Sequence, residues 1–241
     1  MLNQLLFLVL PYATLLIFLV GAIYRYLYKG FQVSSLSSQF LEGRKLFFAS
    51  QPFHWGIMFL FFGHLIAFLF PSSLLIWNGH PARLLVMECA SFAFGLMALW
   101  GLCAFVYRRI ANPRIRVVTS KMDIVVYLIL FSQIISGLMV AYYNRWGMNW
   151  FASFLTPYLR SIFLFQPEIE GISTISSFWV KMHVVSAFTL IALIPFTRFM
   201  HFLVYPLDYL WRSYQQVVWN IDYKNYRQSK NHSMGPKSRN N

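Results

Sequence analysis

The sequence predicts an all-α integral membrane bundle of about five transmembrane helices, with its N-terminus outside and its C-terminus cytoplasmic. Three observations predict it. Hydrophobic residues make up 58% of the 241 and charged residues only 11%, whereas soluble domains carry about 25% charged residues. Mean hydropathy is +0.54. The apolar residues also gather into runs near the roughly 20 residues that cross a bilayer. The length fits one domain, taken as residues 1–219, followed by a polar, basic tail over 220–241.

The first run covers residues 4–27. No basic residue precedes it, Arg25 and Lys29 close it, and no small-residue cleavage site follows. That order is the reverse of a signal peptide, so a retained helix is expected. The other runs are 51–70, 84–107, 123–143 and 179–204. Fifteen Lys and Arg residues fall after runs one, three and five, against four on the opposite side (Arg83, Arg145, Arg160 and Lys181). The positive-inside rule then orients the chain in a cell membrane. The same placement explains the net charge of +13 without nucleic acid as a partner.

The longest outer connection, 144–178, holds Trp146, Trp150, Phe151, Phe154, Tyr158, Phe163 and Phe165. Such an aromatic stretch is expected to lie in the interface rather than cross it. The tail is too polar to order itself and is expected on anionic lipid or a partner. Cys89 and Cys103 share one run and lie roughly 21 Å apart along a helix, too far to bridge. They are expected to be buried apolar thiols.

Chemistry concentrates in the histidines, of which there are six. His80, in an outer loop, and His232, in the tail, are expected to be solvated. His54 and His64 lie on run two, and His183 and His201 on run five. Ionisable residues at membrane depth are costly and mark functional positions. The two runs are antiparallel, so topology pairs His54 with His201 on the inner side and His64 with His183 on the outer side. The spacings differ: ten residues rise about 15 Å and eighteen about 27 Å. Pro195 lies between the two histidines of run five and can kink that helix.

A di-iron carboxylate site needs several inward Glu residues, and only Glu88 and Asp123 lie near the spans. Structural zinc usually wants cysteine or carboxylate ligands as well. A b haem takes two axial imidazoles and hides its ring among apolar side chains, and with both positions filled it carries electrons only. Gly56 and Gly63 beside the ligands suit either close approach of a flat ring or helix packing. Arg198, one turn before His201, is a candidate partner for a haem propionate. Arg44, Arg109 and Arg116 are further candidates, although positive-inside bias accounts for the loop arginines.

The stretches SSQFLEGRKLFFASQPFHWGIMFLFFGHLIAFLFP, RRIANPRIRVVTSKMD and KMHVVSAFTLIALIPFTRFMHFLVYPLDYLWRSYQQV together resemble the cytochrome b (gamma) subunit family of respiratory nitrate reductases, over about residues 5–218. The resemblance implies that His54 and His201 ligate a proximal haem b and that His64 and His183 ligate a distal one. It implies oxidation of menaquinol or ubiquinol beside the distal haem, with protons leaving outside. Electrons would pass inward to an iron–sulfur subunit and then to a molybdenum catalytic subunit that reduces nitrate. The family has a quinol-site lysine in the loop after span two. Here that loop reads SSLLIWNGHPARLLVME, which leaves Arg83 and His80 as quinol-site candidates, and Arg and Lys differ in reach and geometry.

Two rival readings remain, the first within the same electron-transfer class. One is a cytochrome b subunit of a heterodisulfide-reductase-like, sulfite-reduction-associated or nitrite-oxidising complex. The other is a haem-free membrane anchor or transporter. The chain has no cysteine cluster or phosphate loop, so nitrate is expected to be reduced by a partner and not by this polypeptide.

Overall fold

The computed structural model describes residues 1–28 and 44–203, apart from the Arg44 side chain. His232, the tail and most of the loop after the first span therefore lie outside the described residues. Within them, every regular element is helical. Five helices are long and apolar enough to cross a membrane. They are α1 (Leu2–Tyr28), α2 (Arg44–Leu69), α4 (Pro81–Ala111), α6 (Lys121–Tyr143) and α10 (Phe178–Leu193). Short helices join them: α3 (Pro71–Trp77), α5 (Pro113–Val117), α7 (Gly147–Trp150), α8 (Thr156–Phe163) and α9 (Glu170–Thr174).

Local chemistry sets the boundaries. Pro71, Pro81 and Pro113 each open a helix, where a missing N–H costs nothing and φ is already helical. Ser120 starts α6 with a capping box: its Oγ accepts from the Asp123 N–H at 3.1 Å, and the Asp123 carboxylate accepts from the Ser120 N–H at 2.9 Å. The boundaries shift accordingly: α2 begins seven residues before its apolar run and α4 extends three or four residues past both ends of its own, while α6 ends with its run at Tyr143.

The spans pack in the order α1, α10, α6, α4, α2. The closest approach is between α2 and α4. There Gly101 faces the backbone of Ala49 and Phe53, and Gly56 faces Phe94 and Ala98. Gly56 is thus a helix-packing residue, whereas a Cβ on Gly63 would meet nothing within 4 Å. The outward faces carry exposed apolar side chains such as Leu16, Val20, Phe61 and Leu128, a surface that needs lipid or a partner. Cys89 and Cys103 lie there too: both are free and exposed, not buried as expected. Their spacing of fourteen residues keeps them on the outward side of α4, away from its small-residue seam.

The connection over 147–163 is helical and no part of it is among the long apolar spans. It packs inward. Leu155, Tyr158 and Ile162 join Phe7, Val184 and Phe188 in one core, and the Tyr158 hydroxyl donates to the Phe7 carbonyl at 2.8 Å. Arg160 donates to the carbonyls of Phe68 and Leu69 (2.9 and 3.0 Å). It thereby satisfies acceptors that the end of α2 leaves open.

The fifth span is not one continuous helix. After Leu193 come a 3-10 turn, Ile194–Phe196, and an extended Thr197 (φ −124°, ψ −179°) before the chain turns helical again at Met200. Pro195 has no N–H to continue the ladder. The carbonyls freed by the break are taken by Arg25 of α1, whose Nη1 donates to Pro195 O (2.5 Å) and Thr197 O (3.0 Å). Arg25→Gln is expected to lower stability by about 1–3 kcal/mol, the usual worth of hydrogen bonds to a charged group. Thermal unfolding of the purified protein in detergent checks this.

A candidate centre of two histidine pairs

Each histidine of α2 meets one from the fifth span. The rings of His54 and His201 have centroids 6.4 Å apart, and those of His64 and His183 lie 6.3 Å apart. These are the two cross-pairs that antiparallel topology predicts. The helix break lets unequal spacings, ten residues on α2 and eighteen on the fifth span, serve both pairs. His201 sits beyond the break, so its height and direction are not dictated by α10.

The pairs meet across a gap. α2 packs on α4 and α10 packs on α6, but α2 and α10 make no extended contact with each other. Directly packed helices have axes about 8–10 Å apart. Here two intervening spans hold the histidine-bearing helices apart, and only side chains reach between them. His54 and His64 are exposed, while His183 and His201 are half-buried.

All four imidazoles are oriented in the same way. The Nδ1 of His54 lies 2.8 Å from Ser50 O, that of His64 2.7 Å from Leu60 O, that of His201 2.7 Å from Arg198 O, and that of His183 3.0 Å from Gln133 O. A carbonyl oxygen can only accept, so each Nδ1 carries the proton. Each neutral ring then presents its lone pair on Nε2, and at His183 that nitrogen accepts from the Gln133 side-chain amide at 3.2 Å. Metal-ligating histidines are held in this way, by a carbonyl or carboxylate on the other nitrogen.

This donor set fits haem better than a bare ion. Among the described residues, no group of three or more His, Cys, Asp or Glu could hold a metal, whereas zinc usually takes four ligands. Two imidazoles suffice when a macrocycle supplies the other donors. The ring separations of 6.4 and 6.3 Å would leave room for an iron between two imidazole nitrogens. Aromatic edges close the surroundings: Phe151 stands at 86° to His64 with centroids 5.1 Å apart, and Phe53 at 89° to His54.

The candidate cations have other company. Arg198 pairs with Asp123 (Nε to Oδ1, 3.3 Å), and Arg109 reaches the same carboxylate at 3.5 Å while donating to Thr119 (2.9 Å) and Tyr127 (2.7 Å). Asp123, noted in the sequence only as a carboxylate near a span, joins the start of α6 to the turn bearing His201. Arg116 donates to Ile110 O at 2.8 Å. Arg83 is exposed and lies over the Trp77 ring, 4.8 Å from its centroid. His80 is exposed and precedes α4. Neither makes a hydrogen bond to the His64–His183 pair.

One polar pair near this end was not anticipated. Buried Asn78 donates to Asn149 Oδ1 at 2.9 Å, and its own buried Oδ1 has no partner among the described residues. Asn149 is two residues from Phe151, the neighbour of His64.

Residues 3–220 match the family model of the nitrate reductase gamma subunit. The chain is 34% identical over 216 residues to the nitrate reductase gamma chain of Bacillus subtilis (strain 168), covering 88% of this chain and 96% of that one. It is 30% identical over 222 residues to the respiratory nitrate reductase 1 gamma chain of Escherichia coli (strain K12), covering 90% and 97%. It is also 31% identical over 222 residues to the nitrate reductase-like protein NarX of Mycobacterium tuberculosis, of which it spans 33%.

Proposed function

The chain belongs to the nitrate reductase gamma subunit family, and from this we propose that it is the quinol-oxidising subunit that delivers electrons to the rest of a respiratory nitrate reductase. The observation that carries the proposal is the geometry of the two pairs: rings 6.4 and 6.3 Å apart, each with Nδ1 donating to a carbonyl. Two haem b groups, one per pair, would supply one-electron carriers at two depths of the bilayer.

The chain's own residues do the rest. The proximal group would be held by His54 and His201 and the distal group by His64 and His183. The backbone carbonyls fix the direction of each Nε2 lone pair. α2 packs on α4 and α10 on α6, so α2 and α10 are not packed on each other and a flat ring would lie between them. Residues 1–219 form the membrane unit in this account, and the tail over 220–241 serves lipid or partner contact.

With the basic loops inside, quinol would be taken at the outer His64 end. His80, Arg83 and the half-satisfied Asn78 supply polar groups there. Menaquinol and ubiquinol both present hydroxyls that such groups can bind. The electrons would leave at the inner end to an iron–sulfur subunit and from there reach a molybdenum subunit. Arg198, engaged with Asp123, would serve a propionate only by sharing its guanidinium.

The test is a pyridine haemochrome assay with electron paramagnetic resonance on the purified chain. Two b haems per chain, both low-spin, are expected. A colourless preparation would sink the proposal and favour a haem-free anchor.

A further inference from the structure

His183 is held differently from the other three histidines. His54, His64 and His201 donate to carbonyls three or four residues earlier in their own segment. His183 donates across to α6. Its Nδ1 lies 3.0 Å from Gln133 O and 3.1 Å from Ser136 Oγ. Ser136 is fully buried, and its own hydroxyl donates to Gln133 O at 3.1 Å. Its oxygen is therefore free to accept from the imidazole. Gly137 completes the seat: a Cβ there would lie 2.8 Å from His183 Cε1. The Gln133 side chain is tied down by Ser186, whose hydroxyl donates to its Oε1, and its amide donates to His183 Nε2 at 3.2 Å, a place it would yield to an iron.

We infer that Ser136, with the Gln133 carbonyl and the space left by Gly137, is a positioning residue that sets the electronic character of the outer centre alone. This rests on the haem proposal above. The physical reason is the bond to Nδ1–H. An acceptor there draws the proton away from the ring, makes the imidazole a stronger donor through Nε2 and favours the oxidised metal. Removing one of two acceptors weakens that donation. The inner pair has no partner on this part of α6, so it is left as it was. Without the cross-helix seat, both centres would depend only on their own helices.

The experiment is Ser136→Ala in membranes containing the whole complex. Redox titration is followed by optical and electron paramagnetic resonance spectroscopy. His64→Ala identifies which signal is the outer one. At a fixed ambient potential, the reduced-to-oxidised ratio of the outer group is expected to rise roughly three-fold, with a shift in its g values and none in the inner signal. Ser136→Cys keeps the side chain's shape at a slightly larger size and offers only a weak acceptor, and is expected to give a smaller shift of the same sign. It also serves if the alanine variant fails to accumulate. Neither signal moving, or both moving together, overturns the inference while leaving the two-haem proposal standing. A wild-type complex without two b-type signals overturns both.

Discussion

His64→Ala is expected to leave one low-spin b-type signal where the wild type has two, and to cut quinol-dependent electron delivery more than about 100-fold, beyond the cost of losing a ligand's supporting partner. The argument is geometric. His64 faces only His183 among the four rings, so its loss deprives one site of a ligand. The other pair keeps its own hydrogen bonds to Ser50 O and Arg198 O. His201→Ala should remove the other signal and spare this one. Haem quantification with electron paramagnetic resonance separates the outcomes. Loss of the same signal in both variants would mean that the pairs are not crossed as the ring distances indicate.

Gly101→Ala is expected to be the most damaging change that touches no histidine. The new Cβ would lie 2.5 Å from Phe53 N and 2.8 Å from Ala49 O. Both are backbone atoms of α2, so no side chain can swing aside, and α2 itself must move away from α4. Overpacking of this kind costs about 1–3 kcal/mol. α2 carries both His54 and His64, so both haem signals are expected to weaken together, whereas the histidine variants remove them one at a time. Gly171→Ala is the control, because a Cβ there meets nothing within 4 Å. Haem content per chain and thermal midpoint, measured side by side, check both.

Much of this was legible in the residues. Bilayer crossing demands long apolar runs, and Pro71, Pro81, Pro113 and Ser120 mark boundaries by local rules that need no tertiary context. The partner of each histidine followed from antiparallel runs and depth. Other features had no local signature. Pro195 announces a kink but not that Arg25, 170 positions away, holds the freed carbonyls. Asp123 reads as a lone carboxylate near a span, and nothing in its neighbourhood indicates that Arg198 comes from the fifth span to meet it. Ser136 and Gln133 look like two polar residues in an apolar helix until His183 is packed against them. The cysteines were placed on the wrong side of α4 because an apolar run does not reveal which face its neighbours cover.

By itself, then, the sequence determined the number of spans, their antiparallel order and which histidines share a depth, because a low-dielectric slab acts on each segment separately and penalises every polar group in it. Only the tertiary structure decided that α4 and α6 hold α2 and α10 apart, that the fifth span breaks before His201, and that one imidazole of the four is seated by a neighbouring helix. Those outcomes depend on which small residues let backbones approach, as Gly101 and Gly137 do, and such contacts join positions that no pattern along the chain connects.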